Sequence, residues 1–449
     1  MPVLTQQARI SWRWVVLMAL PVGVFAFVDK VSGTAMTFTL RKFIADPALI
    51  SLLGSLNIAG NFLVAPLVAW KSDRWRGGWR RKPFIIIGLS LLVPALIAMP
   101  LAPNIWVLGA TILLYQFAVD FGFTGPWKPL YYEVVPSGQR GRAAVVNRLA
   151  SVTARLGFNF VLIGQFDDRH TMKLNHALLG HNVLALTGEQ VVYFLAAALV
   201  AAVLLFVVFW VKEEPVAAPA LQAPVTACGF FNDVFRPAAS WRLYLLVFAG
   251  AAAAVGLAQL QPLLITEQFG YTKRALGNLH GVIILLEIGL VLPVMAWLSD
   301  RIDRLTLFRV GMVLATVQPL AYWCFVRFVA VNQIPSVTAI IAFSAFGALA
   351  RTAAALSLDP LLFDLAPRNR LGALNSGFLI VRGLTTVLLM NGVGLWVKYA
   401  PQRPGPAGGY DYLSGYLYVF LCGLLGCAAA WLVAAQRRRT ESAAGPQLS

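Results

Sequence analysis

The stretch W-K-S-D-R-W-R-G-G-W-R-R-K-P-F, Trp70 to Phe84, is the place from which the rest of the chain can be read. It lies between two long apolar segments and holds Lys71, Arg74, Arg76, Arg80, Arg81 and Lys82 against a single acid, Asp73. A short, strongly basic loop between apolar spans marks the cytoplasmic side of a membrane. A weaker copy, W-L-S-D-R-I-D-R, runs from Trp297 to Arg304. Trp, Ser, Asp and Arg recur in register, Asp73 and Asp300 standing 227 positions apart (300 − 73). The chain therefore reads as two homologous halves, 1–211 and 241–449, joined by an Ala- and Pro-rich linker at 212–240.

Composition agrees with a protein dissolved mostly in lipid. Of 449 residues, 59% are hydrophobic and 12% charged, with mean hydropathy +0.73; soluble domains carry roughly 25% charged residues. The net charge of +17 does not indicate nucleic acid, because the basic residues are spread over short loops and form no continuous patch. Cys228, Cys324, Cys422 and Cys427 lack metal-ligand spacing, so neither a metal nor a cofactor is expected. No nucleophile elbow, zinc ligand set or phosphate loop is present, which argues against an enzyme. The apolar run after Arg13 is too long for a cleavable leader and reads as a first transmembrane helix.

Apolar runs long enough to span fall near 13–43, 48–70, 84–102, 105–133, 143–166 and 189–211, then near 241–268, 275–298, 305–328, 335–363, 373–399 and 411–436. With the N-terminus inside, the inner loops and tails hold 21 Lys and Arg and the outer loops nine, out of 36. That asymmetry predicts a multi-pass protein of the cell (inner) membrane with both termini cytoplasmic. It leaves six basic residues inside spans: Lys30, Lys128, Arg148, Arg155, Arg351 and Arg382.

A second repeat supports the division. Glu133-x-x-Pro136 with Gly141 recurs as Asp364-x-x-Pro367 with Gly372, offset by 231 (364 − 133). Six-helix repeats with a basic Asp-Arg loop after the second helix resemble the major facilitator transporters. That resemblance implies an all-α membrane protein of about twelve transmembrane helices in two pseudo-symmetric halves, with a site near the midplane. Within the family, S-D-R-W-R-G-G-W-R-R-K-P-F-I is most similar to the loop of the sucrose:proton and glycoside-cation symporter branch. Gly125-Pro-Trp-Lys-Pro-Leu-Tyr-Tyr-Glu133 is similar to that branch's G-P-x-R-x-L-x-x-D on the fourth helix. The resemblance implies that Lys128 binds a sugar hydroxyl or pairs with the coupling acid. The branch's own coupling acid stands about one turn earlier, at Phe117 here, with Asp120 on the neighbouring turn.

A charge at the centre of a span costs about 2.5–3.5 kcal/mol on insertion scales and is tolerated facing a cavity or a partner. Asp29 and Lys30 sit mid-way along the first span; about 100° of helical rotation separates them, so they point in different directions. Asp29 is either a cavity acid, carrying a proton or accepting a substrate hydrogen bond, or half of a structural ion pair. Asp120 and Lys128 are eight residues apart on the fourth span. Arg148, Ser151, Arg155 and Asn159 form one polar stripe on the fifth; there Arg155 is deep enough to pair with Asp29 or Asp120, while Arg148 can snorkel to the loop. Glu287, mid-span in the eighth helix, has no local basic partner and suits a proton carrier; His280 shares its face. Gln259 and Gln261 offer amides to sugar hydroxyls, and Phe25, Phe27, Trp127, Tyr131, Tyr132, Tyr322 and Trp323 offer rings.

The remaining charges suggest gates. Asp359 with Arg382 or Arg351 fits an inner-gate salt bridge, and Asp73, Arg74, Asp300 and Arg301 fit cytoplasmic latches. The expected activity is secondary active transport by alternating access, most simply proton-coupled symport of a sugar or glycoside by a monomer. Asn57 and Asn61 without an acid on the second span favour protons over sodium. The alternatives are a proton-driven exporter of amphipathic small molecules and a non-transporting membrane assembly factor on the same fold. Substrate, proton and bilayer are the partners this predicts, with no nucleic acid.

Overall fold

The computed structural model describes residues 11–443 apart from 75–78, 80, 128–129, 132–134, 136–139, 168, 173–183, 212, 214–233, 236–237, 300, 331–333, 366–370 and 402–408. Its helices follow the apolar runs. In chain order they are α1 Trp12–Arg41, α2 Pro47–Arg74, α3 Lys82–Leu101, α4 Ile105–Thr124, α5 Arg140–Gly157 continued by Phe158–Leu162, and α6 Gly188–Phe209. Further along the chain come α7 Ala238–Ala254, α8 Lys273–Leu286 continued by Glu287–Val291 and Leu292–Ser299, α9 Arg304–Val329, α10 Val337–Leu365, α11 Leu371–Tyr399 and α12 Gly415–Ala443. Over the described residues, 9 helices are long and apolar enough to cross a membrane; α2 and α7 add the shorter apolar pieces Pro47–Leu56 and Ser240–Ala254.

Helix starts are written locally. Ser11 accepts from the Trp14 amide at 3.4 Å, Asn104 from that of Val107 at 3.0 Å and Asp303 from that of Thr306 at 3.0 Å. Thr187 and Gln190 form a reciprocal capping box at the head of α6. These side chains satisfy amides that a helix leaves without partners in its first turn. Between α5 and α6 the chain makes a two-stranded antiparallel hairpin, β1 Arg169–Met172 with β2 Leu184–Thr187. That hairpin is new relative to the sequence reading, where the segment is only an outer loop.

Contacts divide the chain into two compact units. The first holds Met1–Ala45, Leu63–Gln222 and Thr272–Gly281; the second holds Asp46–Phe62, Ala223–Tyr271 and Val282–Ser449. Thus α2 begins in the second unit and ends in the first, and α8 does the reverse.

Within the first unit α1 packs on α5, and α3 packs on both α4 and α6. The α3–α4 crossing is set by two glycines: a Cβ on Gly88 would come within 2.3 Å of the Gly122 Cα. Small residues at a crossing let backbones approach, which is how helices gain packing energy in lipid. Where α3 meets α6, the basic loop is folded into the protein. The Glu213 carboxylate accepts from the Arg81 amide at 2.8 Å and the Lys82 amide at 3.0 Å. Lys82 Nζ in turn donates to the Val208 and Val211 carbonyls at 2.8 and 2.9 Å, where α6 ends. An acid thus sits on one helix N-terminus and a cation on the neighbouring C-terminus, each favoured by the helix dipole.

The second unit is built on a core from α7, α9, α10, α11 and α12 that includes Tyr244, Phe308, Met312, Leu358, Phe378 and Ala430. Val234, near the end of the predicted linker, belongs to this core, and its carbonyl accepts from the Tyr244 hydroxyl at 2.7 Å. Most of the linker and Glu133, Pro136 and Pro367 of the second repeat lie outside the described residues.

Candidate functional site

Some of the charged residues predicted to lie within spans come together, in one group in each unit. In the first, Arg155 Nη2 lies 3.6 Å from Asp29 Oδ2, with both side chains partly exposed, 38% and 46%. The α1–α5 contact and the position of Arg155 on the polar stripe bring the two together. Lys30, the next residue, lies instead within electrostatic reach of His280 from the start of α8. That agrees with the divergence of adjacent helical side chains.

Tyr115 links Asp29 to Asp120. It is buried, donates to the Val28 carbonyl at 3.1 Å, bonds Ser32, and lies within electrostatic reach of both acids. Ser32 Oγ donates to the Asp29 carbonyl at 2.9 Å. Asp120 is fully buried. Its Oδ2 accepts from Gln116 Nε2 at 2.5 Å, one helical turn back, and Thr124 contributes a further hydrogen bond. Its Oδ1 has no partner, nor does the Gln116 Oε1 or either amide atom of Asn159, among the described residues. Beside this cluster Phe25 stacks on Phe123 at 3.8 Å, and Phe123 on Trp127 at 5.8 Å, so two of the predicted rings join a third, Phe123, in one ladder. Lys128 lies outside the described residues.

In the second unit Glu287 and Arg351 come within electrostatic reach of each other, with Tyr416 beside the guanidinium. Glu287 is half-buried and Arg351 exposed, although each sits well inside its helix. Arg382 is half-buried on α11. Asp359 occupies α10, and its side chain is outside the described ones, as are those of Asp73 and Arg74 on α2. Asp300 is outside altogether; Arg301 is exposed and lies over the Trp297 ring at 4.4 Å. Gln259, offered above to sugar hydroxyls, donates to the Gly54 carbonyl at 3.5 Å.

The helices lose their regular α pattern beside these charges. Of six wider π turns among the described residues, four lie here, at Val31–Ala35 after Lys30, Asp120–Thr124, Phe158–Leu162 after Arg155, and Glu287–Val291, while Leu264–Gln268 and Phe325–Val329 lie elsewhere. A π turn releases backbone groups and re-aims side chains, and such turns concentrate at functional positions.

Among the described residues, three ion pairs that composition and charge did not single out lie at helix ends, one of them Lys42, just past α1, with Glu189 in the first turn of α6. Lys273, at the start of α8, pairs with Asp167 and rests over the Phe38 and Phe166 rings at 4.5 Å each. Lys398 Nζ, at the end of α11, lies 2.6 Å from Asp46 Oδ2, while Asp46 Oδ1 caps α2 through the Ala48 amide at 2.9 Å. Asn391 Nδ2 donates to Ser55 Oγ at 3.0 Å further along the same two helices.

The chain is similar to several known transporters. The family model described as Major Facilitator Superfamily matches residues 18–390. A human protein named Membrane-associated transporter protein is 29% identical over 189 residues. The match takes in 38% of this chain and 33% of the human protein, so the chain spans about a third of the length of this curated relative. Among solved structures, a POT family transporter in complex with a thioalcohol-conjugated peptide superposes with a TM-score of 0.71 at 11% identity, over 95% of this chain and 96% of the other. The nucleoside transporter NupG gives 0.67 at 12%, over 93% and 97%. A bacterial homologue of the human lysosomal transporter Spinster, inward-facing and unoccupied, gives 0.67 at 16%, over 94% and 95%. At such identities these likenesses speak for the fold alone.

Proposed function

This chain belongs to the Major Facilitator Superfamily, and we propose that, as a membrane transporter of that type, it works by alternating access as a proton-coupled symporter of a sugar or glycoside. The observation that carries the reading is the group Asp29, Arg155, Tyr115 and Asp120 in the first unit. It combines a partly exposed ion pair with a buried carboxyl that, among the described residues, is bonded on one oxygen. A carboxyl in that setting can exchange a proton without losing its fold contacts. Asp29 then offers a charged acceptor to hydroxyls, and Arg155 holds it when no ligand is present.

The branch motifs around Trp70–Phe84 and Gly125–Glu133 support the sugar assignment, and the Phe25–Phe123–Trp127 ladder offers apolar faces of the kind on which pyranose rings stack. Glu287 in the second unit is the other candidate proton carrier, with Arg351 as its charged neighbour. Coupling in this scheme means that protonation changes substrate affinity, and substrate changes proton affinity by the same factor.

The test is uptake of radiolabelled sucrose, maltose and glucose into proteoliposomes, with and without an inward proton gradient. Accumulation that collapses on adding a protonophore supports symport. Neutralising the coupling acid, by Asp29→Asn, Asp120→Asn or Glu287→Gln, is then expected to abolish accumulation while leaving sugar exchange. No gradient-dependent uptake of any sugar removes the proposal, and accumulation by all three variants removes its coupling scheme.

A further inference from the structure

We propose that Arg351 is the anchor for an oxyanion on the substrate, a carboxylate or a phosphate, so that the transported molecule is acidic. The inference rests on the transporter reading above and narrows its substrate class.

Arg351 stands midway along the 29-residue α10, where a cation is costly unless it faces water or an anion. Its side chain is exposed, yet among the described residues the guanidinium makes no hydrogen bond or ion pair. Its charged neighbour Glu287 and the phenol of Tyr416 act on it only through the electrostatic field. Arg155 in the other unit differs, because it already has Asp29. A guanidinium has five donors in a planar fork that fits a carboxylate or phosphate, and here none of them is spent.

The surroundings hold this fork in place. A Cβ on Gly347, one turn earlier, would lie 3.0 Å from Arg351 Nη1 and 3.0 Å from the Gln318 side chain. The glycine therefore leaves room for the arginine to lie back over its own helix beside that amide. Gln318 is buried and fixed by its bond to the Phe343 carbonyl at 3.2 Å. Tyr322 meets both Phe343, at 5.2 Å, and Tyr416, at 5.0 Å edge to face, making an aromatic wall next to the charge. An exposed cation against aromatic rings and a fixed amide suits a molecule with an acidic end and a hydroxylated or apolar body. A lipid-facing arginine would have no such neighbours.

Purified protein is tested by thermal shift with D-glucuronate, D-glucose 6-phosphate, succinate and D-glucose, using wild type, Arg351→Gln and Arg351→Lys. Equal unliganded melting temperatures show that the variants are folded; if Arg351→Gln is not, Arg351→Lys and Tyr416→Phe carry the comparison. The expected result is stabilisation of wild type by an acidic probe. The apparent affinity should be roughly tenfold or more weaker in Arg351→Gln, as for loss of a charge-assisted hydrogen bond, and partly kept in Arg351→Lys. Glucuronate and glucose 6-phosphate tell carboxylate from phosphate. Arg351-dependent binding of succinate alone upholds the anchor and removes the sugar reading. Glucose stabilising all three proteins equally, with no acidic probe acting, overturns the anchor and leaves the sugar reading standing. Absence of any anion-dependent shift in wild type, or an equal shift in Arg351→Gln, also overturns it.

Discussion

At the scale of single residues, Asp120 is fully buried and, among the described residues, only one of its carboxylate oxygens is bonded. Asp120→Asn keeps the shape and the acceptor for Gln116 while removing the titrating proton. It is expected to leave the melting temperature of the protein within a few degrees of wild type and to lower gradient-driven accumulation by about tenfold or more, with exchange retained. Loss of exchange together with accumulation would assign Asp120 to packing or binding instead. Asp29→Asn has a different expected signature, because it releases the Arg155 guanidinium, which then has no anion at 3.6 Å; substrate affinity in exchange should change along with coupling. Charged residues announce themselves in a stretch of low charge density, so Asp29, Asp120 and Arg155 stood out in the sequence. Tyr115, Gln116 and Thr124 did not, because neutral polar side chains are common in spans and only the fold shows which of them face an acid. The polar stripe of α5 was legible from spacing alone, since a period of 3.6 residues places Arg155 and Asn159 on one face.

At the scale of elements, the basic loop of Trp70–Phe84 has a structural part that charge counting does not reveal. Arg81 and Lys82 are both buried, at 5% exposure each, where a purely topogenic residue would be solvated. Glu213→Ala removes the acceptor for both amides at the head of α3. A lost N-terminal cap costs about 1–2 kcal/mol, and the variant is expected to show a lowered unfolding midpoint in detergent with its transport rate little changed. An unaltered midpoint would mean that water replaces the carboxylate there. Gly88→Val tests the α3–α4 crossing, where the new side chain would strike the Gly122 backbone. Overpacking of this kind costs about 1–3 kcal/mol and is read in the same assay. The placement of the long apolar helices was legible because each span must satisfy its backbone internally and so must be a long apolar helix. The π turns and the hairpin after α5 were not, since both depend on where neighbouring helices press, and hydropathy carries no record of that.

At the scale of the whole chain, two of the helix-end ion pairs, Asp46–Lys398 and Asp167–Lys273, are one device written twice. Asp46 and Lys273 are separated by 227 positions (273 − 46), Asp167 and Lys398 by 231 (398 − 167), the offsets of the two sequence repeats. The acid of one pair therefore stands where the other pair has its lysine, so the geometry is repeated with its polarity reversed. One pair joins the residue before α2 to the last turn of α11, and the other joins the first residue of α8 to the chain five residues past α5. Both α2 and α8 are helices whose residues are shared between the two compact units. Solvent reaches the lysine or the acid in both pairs and screens the attraction. Asp46→Lys places like charges together and is expected to slow transport several-fold while the protein stays monodisperse. Adding Lys398→Asp restores the attraction and should restore the rate, and the double-mutant cycle measures the coupling directly. Because the Lys273–Asp167 pair already uses the reversed polarity, the doubly exchanged protein has a precedent within its own fold. A single Asp46→Lys variant as fast as wild type would show that this contact bears no load in the transport cycle.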